Sequence, residues 1–314
     1  TTLKYKGETP EIEIALYEYG SYMLYKGDYI RQITPLTVDL DLISKELFAL
    51  TTSGSEEYCG TVIQRAVKEL EWGQNEADMK LVYIAGNEEF TQGSVSYKTA
   101  IADALKKNIF VNTIHCGDEE IGVRDYWKDA ALRGNGKFFN INADATVRAI
   151  KTPFDPQIIL CNNKLNDTYI SYGSTGRERK MNQIAQDKNA GTISSANYAE
   201  RAVSKSGSAY KNTSWDLVDK MKEDQNVLPS IKKDELPQEL QNKSTEEIKS
   251  IITQKEKERT AIQKEIAELA IKRQAYIEEQ LKKEGDDSGD DLGKAITSSI
   301  LTFANLKGYT VEAE

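Results

Sequence analysis

Histidine is almost absent from this 314-residue chain, in which His115 is the single imidazole. Chemistry that needs several imidazoles, including most zinc sites, is excluded, and only an arrangement centred on His115 stays open. Cysteine is scarce too. Cys59, Cys116 and Cys161 show no CxxC spacing, which rules out a zinc ribbon or thioredoxin-type motif and allows at most one internal disulfide. There is no apolar run of about 18 residues, so no segment can cross a bilayer as a helix. Basic residues are not in excess. Lys and Arg number 41 against 50 Asp and Glu, and the net charge of -9 repels a phosphate backbone, so nucleic acid is not an expected partner. The signatures G-x-x-x-x-G-K-[ST], G-x-G-x-x-G and G-x-S-x-G are all missing. The nearest piece, Gly134-Asn135-Gly136-Lys137, reads as a hairpin-like turn.

What is present is an alternation of strand and helix signals. EIEIALYEY, 11–19, alternates Ile12, Ile14 and Leu16 with acidic or polar residues before Gly20, which predicts a strand. YIRQITPL, from Tyr29, contains Pro35 and is expected as a short edge strand. Leu40, Ile43, Leu47 and Leu50 recur at helical spacing, predicting a helix over 39–50 with Thr37 as its cap. The polar loop TTSGSEE leads to a second helix over 58–72, stopped by Gly73. KLVYIA, 80–85, is apolar without alternation, the mark of a central strand covered on both faces of a parallel sheet. Helix 97–107, strand 109–116, helix 123–132, a Gly134-Asn135-Gly136 turn and strand 137–141 follow. This order predicts a doubly wound, mostly parallel α/β sheet with an antiparallel edge strand.

Three regions are expected: an α/β domain over 1–144, a connector of short helices and irregular segments over 145–243, and an all-α region over 244–314. YGSTG at 172–176, Pro229 and Pro237 act as breakers in the connector. Ser244 and Glu247 form a capping box, and the absence of Gly and Pro up to Lys283 predicts one long helix of roughly 60 Å. Its stripe of Ile248, Ile252, Ile262, Ile266, Leu269, Tyr276 and Ile277 is heptad-like, but Lys255, Arg259 and Arg273 interrupt it. Packing within the chain is therefore favoured over a parallel coiled coil, with helix-mediated self-association left open. The acidic link GDDSGDD, 285–291, is expected to be solvated, ahead of a last helix over 292–306.

His115 sits in VNTIHCG at the carboxyl end of a strand, where open α/β sheets gather their ligand-binding loops. It reads either as a site residue or as a histidine packed under a loop. Acidic groups collect on the same edge: Glu56 and Glu57, then Asn87, Glu88 and Glu89, then Asp118 to Glu120. Such groups suit a hard cation, Mg²⁺ or Ca²⁺, and suit solvated loops equally. Cys59 opens the helix after TTSGSEE on that edge, which leaves both a Cys59–Cys116 disulfide and free thiols open.

In order along the chain, ALYEYG, ITPLTVDLD, KLVYIAGNEEF, VNTIHCG and GKFFNI resemble a von Willebrand factor type A domain without its beginning. IAGNEEFTQG, VNTIHCG, GKFFNI, LNDTYISYG and YKNTSWDLVD are similar to a narrower group of bacterial, exported type A domain proteins of unassigned activity. The resemblance implies a Rossmann-like sheet ending near residue 144. It also implies a first strand with a D-x-S-x-S metal motif upstream of Thr1, a start that reads as a cut. The metal candidates it leaves in this chain are Thr51, Thr52, Glu56, Asn87 and Glu88, with Gly86-Asn87 standing where the family has an aspartate. Mg or Ca is expected only with the upstream ligands restored, and no other cofactor is expected. The implied function is a non-catalytic, exported protein-binding or adhesion module, its signal peptide outside this chain. A protein ligand would meet Ser53, Glu57, Glu89, Gln92, Asp118 and Glu119 at the carboxyl edge of the strands. The alternatives are a hydrolase using His115 with the acidic loops, and an intracellular type A scaffold of an ATPase complex.

Overall fold

The computed structural model describes residues 2–24, 28–51, 54, 56–141, 149–283 and 292–312. Strand β1 (Thr2–Lys4) opens the chain, and β2 (Ile14–Tyr19) with β3 (Ile30–Thr37) forms an antiparallel ribbon. β4 (Lys80–Gly86), β5 (Ile109–Cys116) and β6 (Asn135–Ile141) make a parallel sheet in that order. The chain is thus mixed α/β, with a small parallel sheet among many helices. β5, flanked on both edges, buries Ile109, Val111, Ile114 and the polar Asn112, Thr113 and His115. Asn112 meets its own needs there: its Nδ2 donates to Val82 O, and its Oδ1 accepts from Lys137 N and Ser299 Oγ.

Helices cover both faces of this sheet. On one, α2 (Cys59–Glu69), α3 (Tyr97–Lys106) and α5 (Trp127–Arg133) share a core of Val62, Ile63, Ile101, Val111 and Trp127. On the other lies α11 (Leu292–Leu306), whose Phe303 stacks on Phe110 at 5.0 Å between ring centroids. The all-α expectation for the C-terminal region needs correction, because β7 (Thr310–Glu312) returns to pair with β1.

Four local expectations change. The helix predicted over 123–132 is two, α4 (Glu119–Arg124) and α5, separated at Tyr126, whose φ of 71° is left-handed. The glycine turn joins α5 to a parallel strand and is no hairpin; a Cβ on Gly136 would lie 2.0 Å from Val111 O, so close approach to β5 demands glycine. Asp39, not Thr37, caps α1 (Leu40–Ala49) by accepting from Leu42 N, while Thr37 Oγ1 accepts from Asp39 N. Finally, β4 is not flanked on both edges among the described residues: it pairs with β5 alone, and Ala85 is exposed.

The helices α6 (Asp155–Asn166) and α8 (Ser195–Ser206) pack with α10 (Thr245–Lys283) around Ile158, Leu165, Trp215 and Ile266; α7 (Gly176–Ile193) packs on α8 and α1, and α9 (Leu217–Glu223) meets α10 in a second cluster with Leu217, Val218 and Ile252. The capping box at the start of α10 forms as expected, Ser244 N to Glu247 and Glu247 N to Ser244 Oγ. Ile252, Arg259, Ile266 and Arg273, seven residues apart, are all buried against the body. The arginines that break the apolar stripe are its anchors. Arg259 donates to Asp216, Asp219, Thr168 Oγ1 and Thr168 O and lies 4.1 Å over the Tyr169 ring. Arg273 reaches Asp155, Ala196 O and Glu200. The helix α1 is tied to this body likewise: Asp41 accepts from Arg201 and Tyr210, and Asp187 accepts from Arg201 and the fully buried Lys205. The link 285–291 lies outside the described residues.

Asp216 has no side-chain exposure, so removing its guanidinium partner strands a buried carboxylate. Arg259→Met is expected to cost about 3–5 kcal/mol in urea denaturation followed by circular dichroism. Arg259→Met/Asp216→Asn should regain part of that loss; a single variant as stable as the wild type would disprove the anchoring role.

Candidate functional site

The carboxyl ends of β4 and β5 and the loop before α2 meet at one edge. They meet through Glu57. Its Oε2 accepts from the backbone N–H groups of Asn87 at 3.0 Å and Glu88 at 3.1 Å, just past the end of β4. Gln92 Oε1 in turn accepts from Glu57 N at 2.8 Å, closing a two-way clasp between the loops. Gly86 is where this clasp comes nearest the strand, since a Cβ there would fall 2.2 Å from Glu57 Oε2 and 2.8 Å from the Tyr19 hydroxyl. The loop after β4 is also joined to the junction of α4 and α5: Trp127 Nε1 donates to Glu88 O at 2.8 Å, and Phe90 N donates to Asp125 O at 3.0 Å. The loop before α2, the loop after β4 and the α4–α5 junction thus form one hydrogen-bonded rim.

Burial raises the Glu57 carboxyl above the usual glutamate range, although the two backbone N–H groups pull it down and the single imidazole does so weakly. Burial likewise raises the Cys59 and Cys116 thiols, with the Glu57 charge adding to each. Protonated thiols are poor nucleophiles and poor ligands. Both are free cysteines, so the bridge entertained between Cys59 and Cys116 is not formed. Cys59 Sγ instead faces the Tyr19 hydroxyl at 4.0 Å.

His115 is enclosed: 1% exposed, it lies beside Trp127, with Gly117 and Gly122 against the ring. Its Nδ1 contacts Asn140 Oδ1 at 2.8 Å. Because Asn140 Nδ2 donates to Gly117 O, Oδ1 is left to accept and the proton is assigned to Nδ1. Nε2 is buried with no partner among the described residues. The ring packs under the loop that follows β5 and does not meet the acidic side chains of the rim.

The remaining candidates divide. Glu89, Asp118 and Glu119 are exposed along the rim, while Asp118 also caps α4 by accepting from Ile121 N. Gln92 is half-buried by its clasp on Glu57, and Glu56 is half-buried beside it. Thr51 is exposed; Thr52 and Ser53 lie outside the described residues. For a hard cation the described residues do not fit. No group of three or more His, Cys, Asp or Glu among them is placed to hold a metal ion, the Glu57 carboxylate is committed to two backbone amides, and the Asn87 amide turns to Glu88. Tyr19, Trp127 and Asn140 are the residues that motif reading passes over. Tyr19 alone left a trace, sharing one strand face with Tyr17. Comparison with protein-family models, with curated proteins and with solved structures gives no match.

Because the folded state raises the Glu57 carboxyl, it favours the protonated form. The stability this group carries is full below the ordinary glutamate range and is lost as pH rises through the raised value. Glu57→Gln keeps an amide oxygen for Asn87 and Glu88 without that dependence. Urea midpoints of variant and wild type should lie close near pH 4, with the variant the more stable at pH 7. A wild type that gains on the variant over that range contradicts the burial account.

Proposed function

We propose that this chain is a protein-binding module of the von Willebrand factor type A kind, doubly wound, with its ligand met at the carboxyl edge of the strands. The observation that carries the reading is the cross-tied rim. Glu57, Gln92 and Trp127 hold two loops and the α4–α5 junction in one arrangement, so the exposed groups lose little ordering entropy when a partner lands on them. Those groups are acidic and apolar together: Glu89, Asp118 and Glu119 stand beside the exposed Ile121, Val123 and Tyr126 of α4 and its end. A carboxylate border around exposed aliphatic and aromatic groups suits a protein surface with basic and apolar side chains. The parallel strands alternating with helices, and the order of the resembling segments, support the type A assignment.

The hydrolase reading has less behind it, since a base at His115 would first have to be uncovered. A displayed peptide library panned against the wild-type chain tests the binding reading. Clones so selected should lose about tenfold in affinity, or about 1.4 kcal/mol, for Glu88→Ala/Glu89→Ala/Glu119→Ala, yet bind a Glu223→Ala/Glu258→Ala control normally. A library with no binder, or binders indifferent to the rim substitutions, overturns the reading.

A further inference from the structure

The ion pairs that tie α1 to the helical body leave a groove beside them. α1 and α8 both pack with α7, and a cavity of about 290 Å³ lies where the three helices meet. Each helix gives it residues at helical spacing: Ser44 and Phe48 of α1, Ala190 and Ile193 of α7, and Asn197, Arg201 and Ser204 of α8. Part of the lining is apolar and wet. Phe48 is 44% exposed and Ile193 60%, so two large side chains stand in water at a concave surface.

Arg201 gives the groove its chemistry. Its Nε donates to Asp187 Oδ1, and its Nη2 donates to Asp41 Oδ1 and Gln183 O. Nη1 has no partner among the described residues, and the side chain is 11% exposed, so that nitrogen is what Arg201 offers to the groove. On the same face of α8, Asn197 Oδ1 accepts from Ser194 Oγ, which leaves Nδ2 to donate. The Ser204 hydroxyl has no partner among the described residues and can donate too. These donors fall at i, i+4 and i+7 of one helix, and they call for an acceptor. Charge decides which acceptor. The guanidinium already holds two carboxylates, and Glu200, 62% exposed, adds a third acid beside the groove. A further anion would meet these acids, whereas a neutral carbonyl oxygen takes the donors without adding charge. The volume sets the size, since sites for drug-sized molecules begin near about 300 Å³.

We propose that the groove between α1, α7 and α8 is a binding site for a small neutral molecule with an apolar body and a carbonyl group, such as an amide or a ketone. The carbonyl oxygen accepts from Arg201 Nη1 and Asn197 Nδ2, and the body covers Phe48 and Ile193. The site is separate from the acidic rim, and neither reading depends on the other.

Titration of the full chain with phenylacetamide, followed by NMR of backbone amides and arginine side chains, tests it. Shifts should concentrate at Phe48, Ile193, Asn197 and Ser204, and the Arg201 guanidinium signals should move with them, at or below about 5 mM ligand. Phenylacetate, the same body carrying a charge, should bind about tenfold more weakly, and phenethylamine, which has no acceptor, should not bind. Replacing Arg201 would break the ion pairs of α1, so the variant is made at the apolar lining. Phe48→Ser/Ile193→Ser should weaken the amide about tenfold while the thermal midpoint stays close to that of the wild type, because both side chains are exposed. Glu88→Ala/Glu89→Ala/Glu119→Ala should leave binding unchanged, so failure of the rim reading is seen separately. Any of four results overturns the proposal: no shifts at these residues, an amine that binds as well as the amide, a carboxylate that binds more tightly, or a Phe48→Ser/Ile193→Ser chain that binds the amide undiminished.

Discussion

A carboxylate taken out of water must keep its hydrogen bonds and a compensating charge or dipole, and this chain meets that demand repeatedly at the places where its parts join. Glu57 is half-buried at the strand edge and satisfied by two backbone amides, which fastens one loop to another. Asp41 and Asp187 sit on either side of Arg201, binding α1 to α7 and α8. Asp216 and Asp155 receive Arg259 and Arg273, which sets the register of a 39-residue helix. An apolar stripe alone would let that helix slide by a turn at small cost; a buried guanidinium has one place where its donors are all met.

The same device makes the candidate edge stiff. Loops are usually the mobile part of an α/β fold, but here the loop before α2 and the loop after β4 each hold the other through a side chain, and Trp127 of α5 ties the second of them to the α4–α5 junction. Beneath this edge, β2 and β4 share a hydrophobic core, and among the described residues no ladder joins them. Tyr19 belongs to both features. Its hydroxyl donates to Ala85 O near the end of β4 and lies beside Cys59, close to the Glu57 clasp.

Much of the element order was legible. β5 has the bounds expected from its apolar run, and the capping box placed the start of α10. Misreadings arose where a long-range contact overrode local pattern. Nothing near Tyr126 announces a left-handed residue, so 123–132 read as one helix. Gly134 and Gly136 looked like a hairpin because their true reason, the backbone of Val111, is more than twenty residues away. At the edge, the loops of Glu57 and of Asn87–Glu88 do meet, yet the sequence could not tell that Glu57 would be committed to the Asn87 and Glu88 amides, or that His115 would be enclosed beside Trp127.

Composition and periodicity, then, determined by themselves that this is a strand-and-helix chain with one imidazole, acidic loops after its strands and a long capped helix, and no helix among the described residues is long and apolar enough to cross a membrane. Those are properties of neighbouring residues, set by hydrophobic spacing and by backbone donors within a turn or two. Only tertiary structure decided which acids are buried and which stand in water, which arginines are anchors, and that β4 pairs with β5 alone among the described residues. Burial and pairing depend on what arrives from distant parts of the chain, and a residue's own neighbours carry no record of that.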